Sequence, residues 1–162
     1  MRILGIDPGL NITGYGLISC QQNNIKLIET GIIQSKAKDL LQQRLQKIYK
    51  GVEAVMDQYQ PDVLVLEKLY SQYRHPATVS VLGHVRGVIC LLCAQKNVPL
   101  VEHSPKRIRK SVTGTGNASK EQTKRMIAHL LRINAETLTF DASDALALAV
   151  GYSQIQNHHL SL

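Results

Sequence analysis

The sequence contains no tryptophan, one phenylalanine, five prolines and three cysteines among its 162 residues. An odd cysteine count excludes a disulfide framework as the source of stability. Few prolines and 11 glycines exclude a collagen-like chain, and 44% hydrophobic against 19% charged residues excludes disorder. No uncharged apolar run approaches the ~20 residues that a membrane span requires. Asp7 interrupts the opening apolar run before a signal-peptide core forms. One domain of a cytoplasmic protein with no membrane partner is expected, at a length that needs no disulfide or metal staple.

Charge is unevenly spread. Nineteen Lys and Arg stand against twelve Asp and Glu, a net of +7. The segment from Lys96 to Arg132 holds nine bases and only Glu102 and Glu121 as acids, so it carries the whole excess. The other 125 residues balance at zero. A segment of this kind attracts a polyanion, nucleic acid first of all, and its candidates are Lys106, Arg107, Arg109, Lys110, Lys120 and Lys124. Cys90 and Cys93 have metal-ligand spacing but sit in an apolar run, so they read as buried thiols on one helical face.

Three strands open the chain, at Arg2–Ile6, Thr13–Ser19 and Ile25–Gln34, as an antiparallel meander. Leu41, Leu45, Ile48, Val52, Val55 and Tyr59 then recur at helical spacing and stop before Pro61. Val63–Leu66 reads as a buried parallel strand ending at Glu67. A helix over Pro76–Ala94 and a strand over Val98–Glu102 follow. Ser104-Pro105 starts a short basic helix, and Ser119-x-x-Gln122 is a capping box opening another. The last helix spans Phe140–Gln154. The expected fold is α/β, a mixed sheet of three antiparallel and then parallel strands with helices on both faces. Residues 1–155 form the single domain and 156–162 a polar tail.

The acids carry the chemistry. Asp7 and Glu67 each end an apolar strand, at the carboxyl edge where open α/β sheets place their sites. Asp141 and Asp144 are three apart at a helix start, so they share a face and the helix dipole favours their charge. Singly, each has an ordinary role: Asp7 capping its turn, Glu67 pairing with Lys68, Asp141 as a first-turn acid. As a set beside the basic segment they point to one pocket of oxygen donors. No Cys or His joins them in a ligand pattern, so hard cations, Mg²⁺ or Mn²⁺, are the expected guests. Two such ions ~4 Å apart suit phosphodiester hydrolysis. His75, His103 and His129 read as structural or surface residues.

Ile3-Leu4-Gly5-Ile6-Asp7-Pro8-Gly9 with Thr13-Gly14-Tyr15-Gly16 resembles the opening motif of the RuvC crossover junction endodeoxyribonucleases. Further matching stretches are Leu66-Glu67-Lys68, Leu82 to Val88, Val112 to Gly116 and Asp141 to Ala147, in order over nearly the whole chain. The resemblance implies a ribonuclease H-like fold, a homodimer, and a four-carboxylate site with two Mg²⁺, Mn²⁺ being a substitute. It implies nicking of opposed strands in a Holliday (four-way) junction during DNA recombination and repair. By position it gives Asp7, Glu67, Asp141 and Asp144 the catalytic places, and Arg109 and Lys120 the places of DNA-supporting bases. Tyr70 falls near the family's junction-contacting aromatic, with Tyr73 as the nearby substitute, and the RuvA-RuvB branch-migration complex is the implied partner. His84 stands where the family often has Gln. Two rivals share features: an actin-like phosphotransferase, which needs a second lobe that 162 residues cannot supply, and a catalytically silent nucleic-acid-binding protein of the same fold.

Overall fold

The computed structural model describes residues 1–21, 24–68 and 76–159. Strands β1 (Arg2–Asp7), β2 (Ile12–Gln21) and β3 (Asn24–Gln34) precede helix α1 (Leu41–Tyr59), strand β4 (Val63–Glu67), helix α2 (Pro76–Lys96) and strand β5 (Leu100–His103). Then come α3 (Pro105–Thr113), α4 (Lys120–Leu131), a 3-10 turn at Ala135–Thr137 and α5 (Phe140–His159). The strands form one sheet in the order β3-β2-β1-β4-β5. β1 pairs antiparallel with β2, and β2 with β3; β1–β4 and β4–β5 are parallel. This is the expected mixed sheet.

Strand alternation assigns the two faces. Ile3, Ile18, Val63 and Val65 join a core built with α3, α4 and α5. Leu4, Ile6, Leu17, Leu64 and Leu66 face the other way, into a core with α1 and α2. Helices therefore cover both faces. Asp7 and Glu67 have the parity of Ile3 and Val63, so their side chains emerge on the α5 face. Parity alone puts both acids on one side of the sheet.

Three glycines let α5 lie directly on that face. Gly5 and Gly16 are cross-strand partners, and Gly14 is the partner of Asp7. A methyl group on Gly5 would meet the backbone of Ala145 and Ala149, on Gly14 the Asp141 carbonyl, and on Gly16 the Leu146 side chain. The small Ala145 and Ala149 face this contact from the helix, and both are buried. Thr139 fixes the entry of α5, its Oγ1 accepting from the Ala142 N–H at 3.2 Å.

Three expectations are corrected. α5 runs through His159 rather than ending near Gln154. Ile155 is sealed in the core at 8% exposure, and Gln156 and Asn157 contain nothing to break the helix, so 156–162 is not all tail. Cys90 is exposed while Cys93 is buried, because only the Cys93 side of α2 meets the sheet. β5 begins at Leu100, not Val98: the Val98 N–H caps α2 by donating to the Cys93 carbonyl at 3.0 Å, and Pro99 has no N–H to donate. Val79–Lys96 is long and apolar enough to cross a membrane by length and composition, although only its inner face is buried against the sheet.

Gly5→Ala is expected to destabilise the protein by about 1–3 kcal/mol or more, since backbone rather than a flexible side chain blocks the new methyl. Urea denaturation measures it; a change below about 0.5 kcal/mol, the usual size at an innocuous surface site, would show that α5 does not rest on the glycines.

Candidate active site

The parallel pairing of β1 and β4 runs from Ile3–Val63 to Ile6–Leu66, so one step further sets Asp7 beside Glu67. Asp141 and Asp144, one turn apart at the start of α5, come down over them because Gly14, opposite Asp7, has no side chain under the Asp141 carbonyl. The loop leaving Asp7 is tied by Thr13, whose Oγ1 donates to the Gly9 carbonyl at 2.7 Å. The structure thus brings the four predicted acids together from three elements.

Their electrostatics show the proximity. Burial, then Asp144, then Glu67 push the Asp7 carboxyl up to about 7; Lys120 opposes this and Asp141 adds to it. Glu67 is also raised, by burial and then by Asp144, against Arg109, Lys120 and Arg86. Like charges this close disfavour one another's ionised form. Lys120 is the counter-charge. Its Nζ donates to Asp144 Oδ2 at 2.7 Å, and its own pKa is raised by that hydrogen bond first of all. The capping box of Ser119 and Gln122 puts Lys120 at the first position of α4, where it reaches into the acids. A base there works against the helix dipole, and the carboxylates compensate.

Among the described residues, no three His, Cys, Asp or Glu side chains are drawn together tightly enough to hold a metal ion as they stand. The donor chemistry nevertheless fits a hard divalent ion: four carboxylates, no soft ligand, and acidic repulsion that a cation relieves.

The basic candidates divide. Arg109, half-buried, lies close enough to Glu67 to lower its pKa. Lys124 holds its ammonium 4.9 Å from the centre of the Phe140 ring, at the mouth of α5. Lys106, Arg107 and Lys110 are exposed on α3. Tyr70, Tyr73 and His75 lie outside the described residues.

One residue near the site was missed. Arg86 is 8% exposed, yet its guanidinium donates to the backbone carbonyl of Glu67 and to Glu102. An arginine inside an apolar helix was the available signal, since such a charge needs a partner when buried. His103 is the cross-strand neighbour of Glu67. Its ring centre lies 5.9 Å from that of Tyr152, and burial holds its pKa down. The structural reading of His103 therefore stands beside the site, not remote from it.

The family model described as crossover junction endodeoxyribonuclease RuvC matches residues 3–152. A protein of that description from Rhodopirellula baltica is 40% identical over 148 residues, covering 91% of this chain and 83% of its own length. One from Pseudothermotoga lettingae is 36% identical over 157 residues, covering 97% and 96%. The solved structure of T. thermophilus RuvC in complex with Holliday junction substrate superposes with a TM-score of 0.88 at 19% identity, covering 98% of this chain and 96% of that one. The fold is accordingly ribonuclease H-like.

Without metal, Asp7 gives a defined pH dependence. Its pKa rises from 3.8 to about 7 on folding, so between these values the folded state binds more protons than the unfolded one. Stability in chelator should fall as pH rises through this interval, and Glu67 acts in the same direction. Asp7→Asn should flatten the profile and raise the melting temperature at about pH 8. A profile of Tm that is flat in the wild type, or rises over this range, would contradict the crowding of the acids.

Proposed function

The chain belongs to the RuvC family of crossover junction endodeoxyribonucleases, and on that premise we propose that Asp7, Glu67, Asp141 and Asp144 are its catalytic and metal-binding residues. The carrying observation is that Asp7, at the end of β1, feels Glu67 at the end of β4 and both Asp144 and Asp141 at the start of α5. The reading is that they hold two Mg²⁺ per site, with Mn²⁺ as a substitute. Bound divalent ions would supply charge neutralisation at the scissile phosphate and an activated water. The chain's own residues do the rest. Arg86 anchors the end of β4 through the Glu67 carbonyl, and Arg109 and Lys120 bring positive charge to the carboxylates that a phosphate then shares. Lys106, Arg107, Lys110 and Lys124 extend this charge along a DNA backbone.

The substrate is four-way junction DNA, nicked on opposed strands during recombination and repair. A catalytically silent relative is disfavoured because the acid set is complete and crowded at a cost that binding alone does not require.

Two symmetric nicks need two sites, which an isologous dimer provides. The outward face of α2 supports this: Gly83, Gly87, Cys90, Leu91 and Ala94 form an exposed small and apolar stripe, with Leu91 at 56% exposure. Nothing lies within 4 Å of a methyl placed on Gly83 or Gly87, so a second α2 has room for close approach. A second copy covers this stripe in the proposed assembly. Tyr70 stacks at the junction centre, the RuvA-RuvB complex delivers the junction, and the cytoplasm is the setting.

Glu67→Gln should abolish Mg²⁺-dependent nicking of a synthetic four-way junction while junction affinity stays within about threefold, roughly 0.6 kcal/mol. Residual cleavage above one per cent of wild type would remove Glu67 from the catalytic set. Leu91→Lys should leave a folded monomer, as read by analytical ultracentrifugation and circular dichroism. A variant that remains dimeric would place the interface elsewhere.

A further inference from the structure

The loop between β3 and α1 carries Lys36 and Lys38, and both are exposed, as is Lys47 on α1. With Asn11, Gln34 and Ser35 they line one open cavity. Among the described residues none of these three ammonium groups meets a carboxylate. Asp39 is the only acid in the loop. Sequence balance hides this cluster, because it lies in the part of the chain whose net charge is zero.

Topology puts the cluster beside the active site. β3 is parallel to β1, since each is antiparallel to β2, so Gln34 and Asp7 end at the same edge of the sheet. Two strand spacings and a two-residue offset place Gln34 roughly 12 Å from Asp7. The two loops are bolted together. The Ser35 N–H donates to the Asn11 carbonyl at 2.9 Å, and Ser35 Oγ to the Leu10 carbonyl at 2.5 Å. Arg44 on α1 then donates to Ser35 Oγ at 3.0 Å and to the Asn11 side chain. Whatever binds the lysines is therefore held in fixed register with the strand that presents Asp7.

Helix α1 points to the same ligand. It has no acid in its first turn and no base in its last, the reverse of what the helix dipole favours. Arg44, Lys47 and Lys50 occupy its first half, whereas Glu53 and Asp57 in the second half both meet Lys96. The acids are neutralised at the far end, and positive charge is left at the end that carries the site. α1 packs on the face opposite α5, so these bases approach the acids from the other side to α3 and α4.

We infer that Lys36, Lys38 and Lys47 form a second phosphate-binding surface, which grips the backbone of a DNA arm about three to four nucleotides from the scissile phosphate, at about 3.4 Å per nucleotide. The inference rests on the proposed junction nicking and extends its footprint. Each lysine neutralises a phosphate, and Arg44 positions the loop that carries two of them.

The test is junction binding by the full-length protein in chelator over a KCl series, with the triple variant Lys36→Gln, Lys38→Gln, Lys47→Gln beside wild type. The slope of log K against log salt should fall by roughly two to three units, near one per lysine. Neutral methylphosphonates scanned along the junction should weaken wild type at the third or fourth phosphate from the nick and leave the triple variant indifferent there. An unchanged slope, or equal sensitivity of both proteins at those phosphates, overturns the surface. Lys110→Gln, from the other basic segment, separates the two readings. If it lowers the slope and the triple variant does not, junction binding stands and this surface falls. If wild type neither binds nor nicks the junction, the proposed function falls with it.

Discussion

The close seating of α5 on β1 and β2 is the contact on which the remaining structure depends. A helix normally rests on a sheet through side chains from both elements. Here Gly5, Gly14 and Gly16 remove the sheet's contribution, and backbone approaches backbone. Two acids that begin a helix near the end of the chain thereby reach two acids that end strands in its first half. A helix standing one side-chain layer higher would leave Asp141 and Asp144 separated from Asp7. The same seating buries Leu146, Ala149 and Val150, so the core that stabilises the domain also aligns the acids.

Alignment has an energetic cost. Four carboxylates share a partly dehydrated edge, and Asp7 is driven to about 7 by burial and by its neighbours. Lys120 offsets part of this through Asp144, while Arg86 secures the Glu67 backbone from beneath the sheet. Crowding of like charge that the fold tolerates without needing it is characteristic of a site organised for a cation or a reacting anion. The second cationic surface at Lys36, Lys38 and Lys47 places positive charge on the far side of the acids, so a phosphate backbone crossing the edge meets attraction before and after the carboxylates.

Much of this was legible in the residues. Asp7 and Glu67 follow apolar strands whose alternation fixes their face, and Ser119-x-x-Gln122 announced both the start of α4 and the placing of Lys120. What sequence did not reveal depends on contacts between distant elements. The partner of Arg86 becomes visible only when α2 is laid across β4 and β5. Cys90 and Cys93 share an apolar run, but the outward stripe that exposes Cys90 is defined by which side of α2 meets the sheet. The lysine cluster draws on a loop and a helix whose local charge is balanced by acids at the helix's other end. α5 outlasted its apolar pattern because Ile155 still finds the core and no Gly or Pro ends it.

The central claim is that the four acids converge to bind divalent ions at the carboxyl edge of the sheet. Anomalous diffraction from crystals soaked in Mn²⁺ tests it most directly. The account predicts manganese peaks bounded by Asp7, Glu67, Asp141 and Asp144, with the Lys120 ammonium withdrawn from Asp144. Manganese bound elsewhere, or no peak at these carboxylates while Lys120 keeps its contact with Asp144, would contradict it.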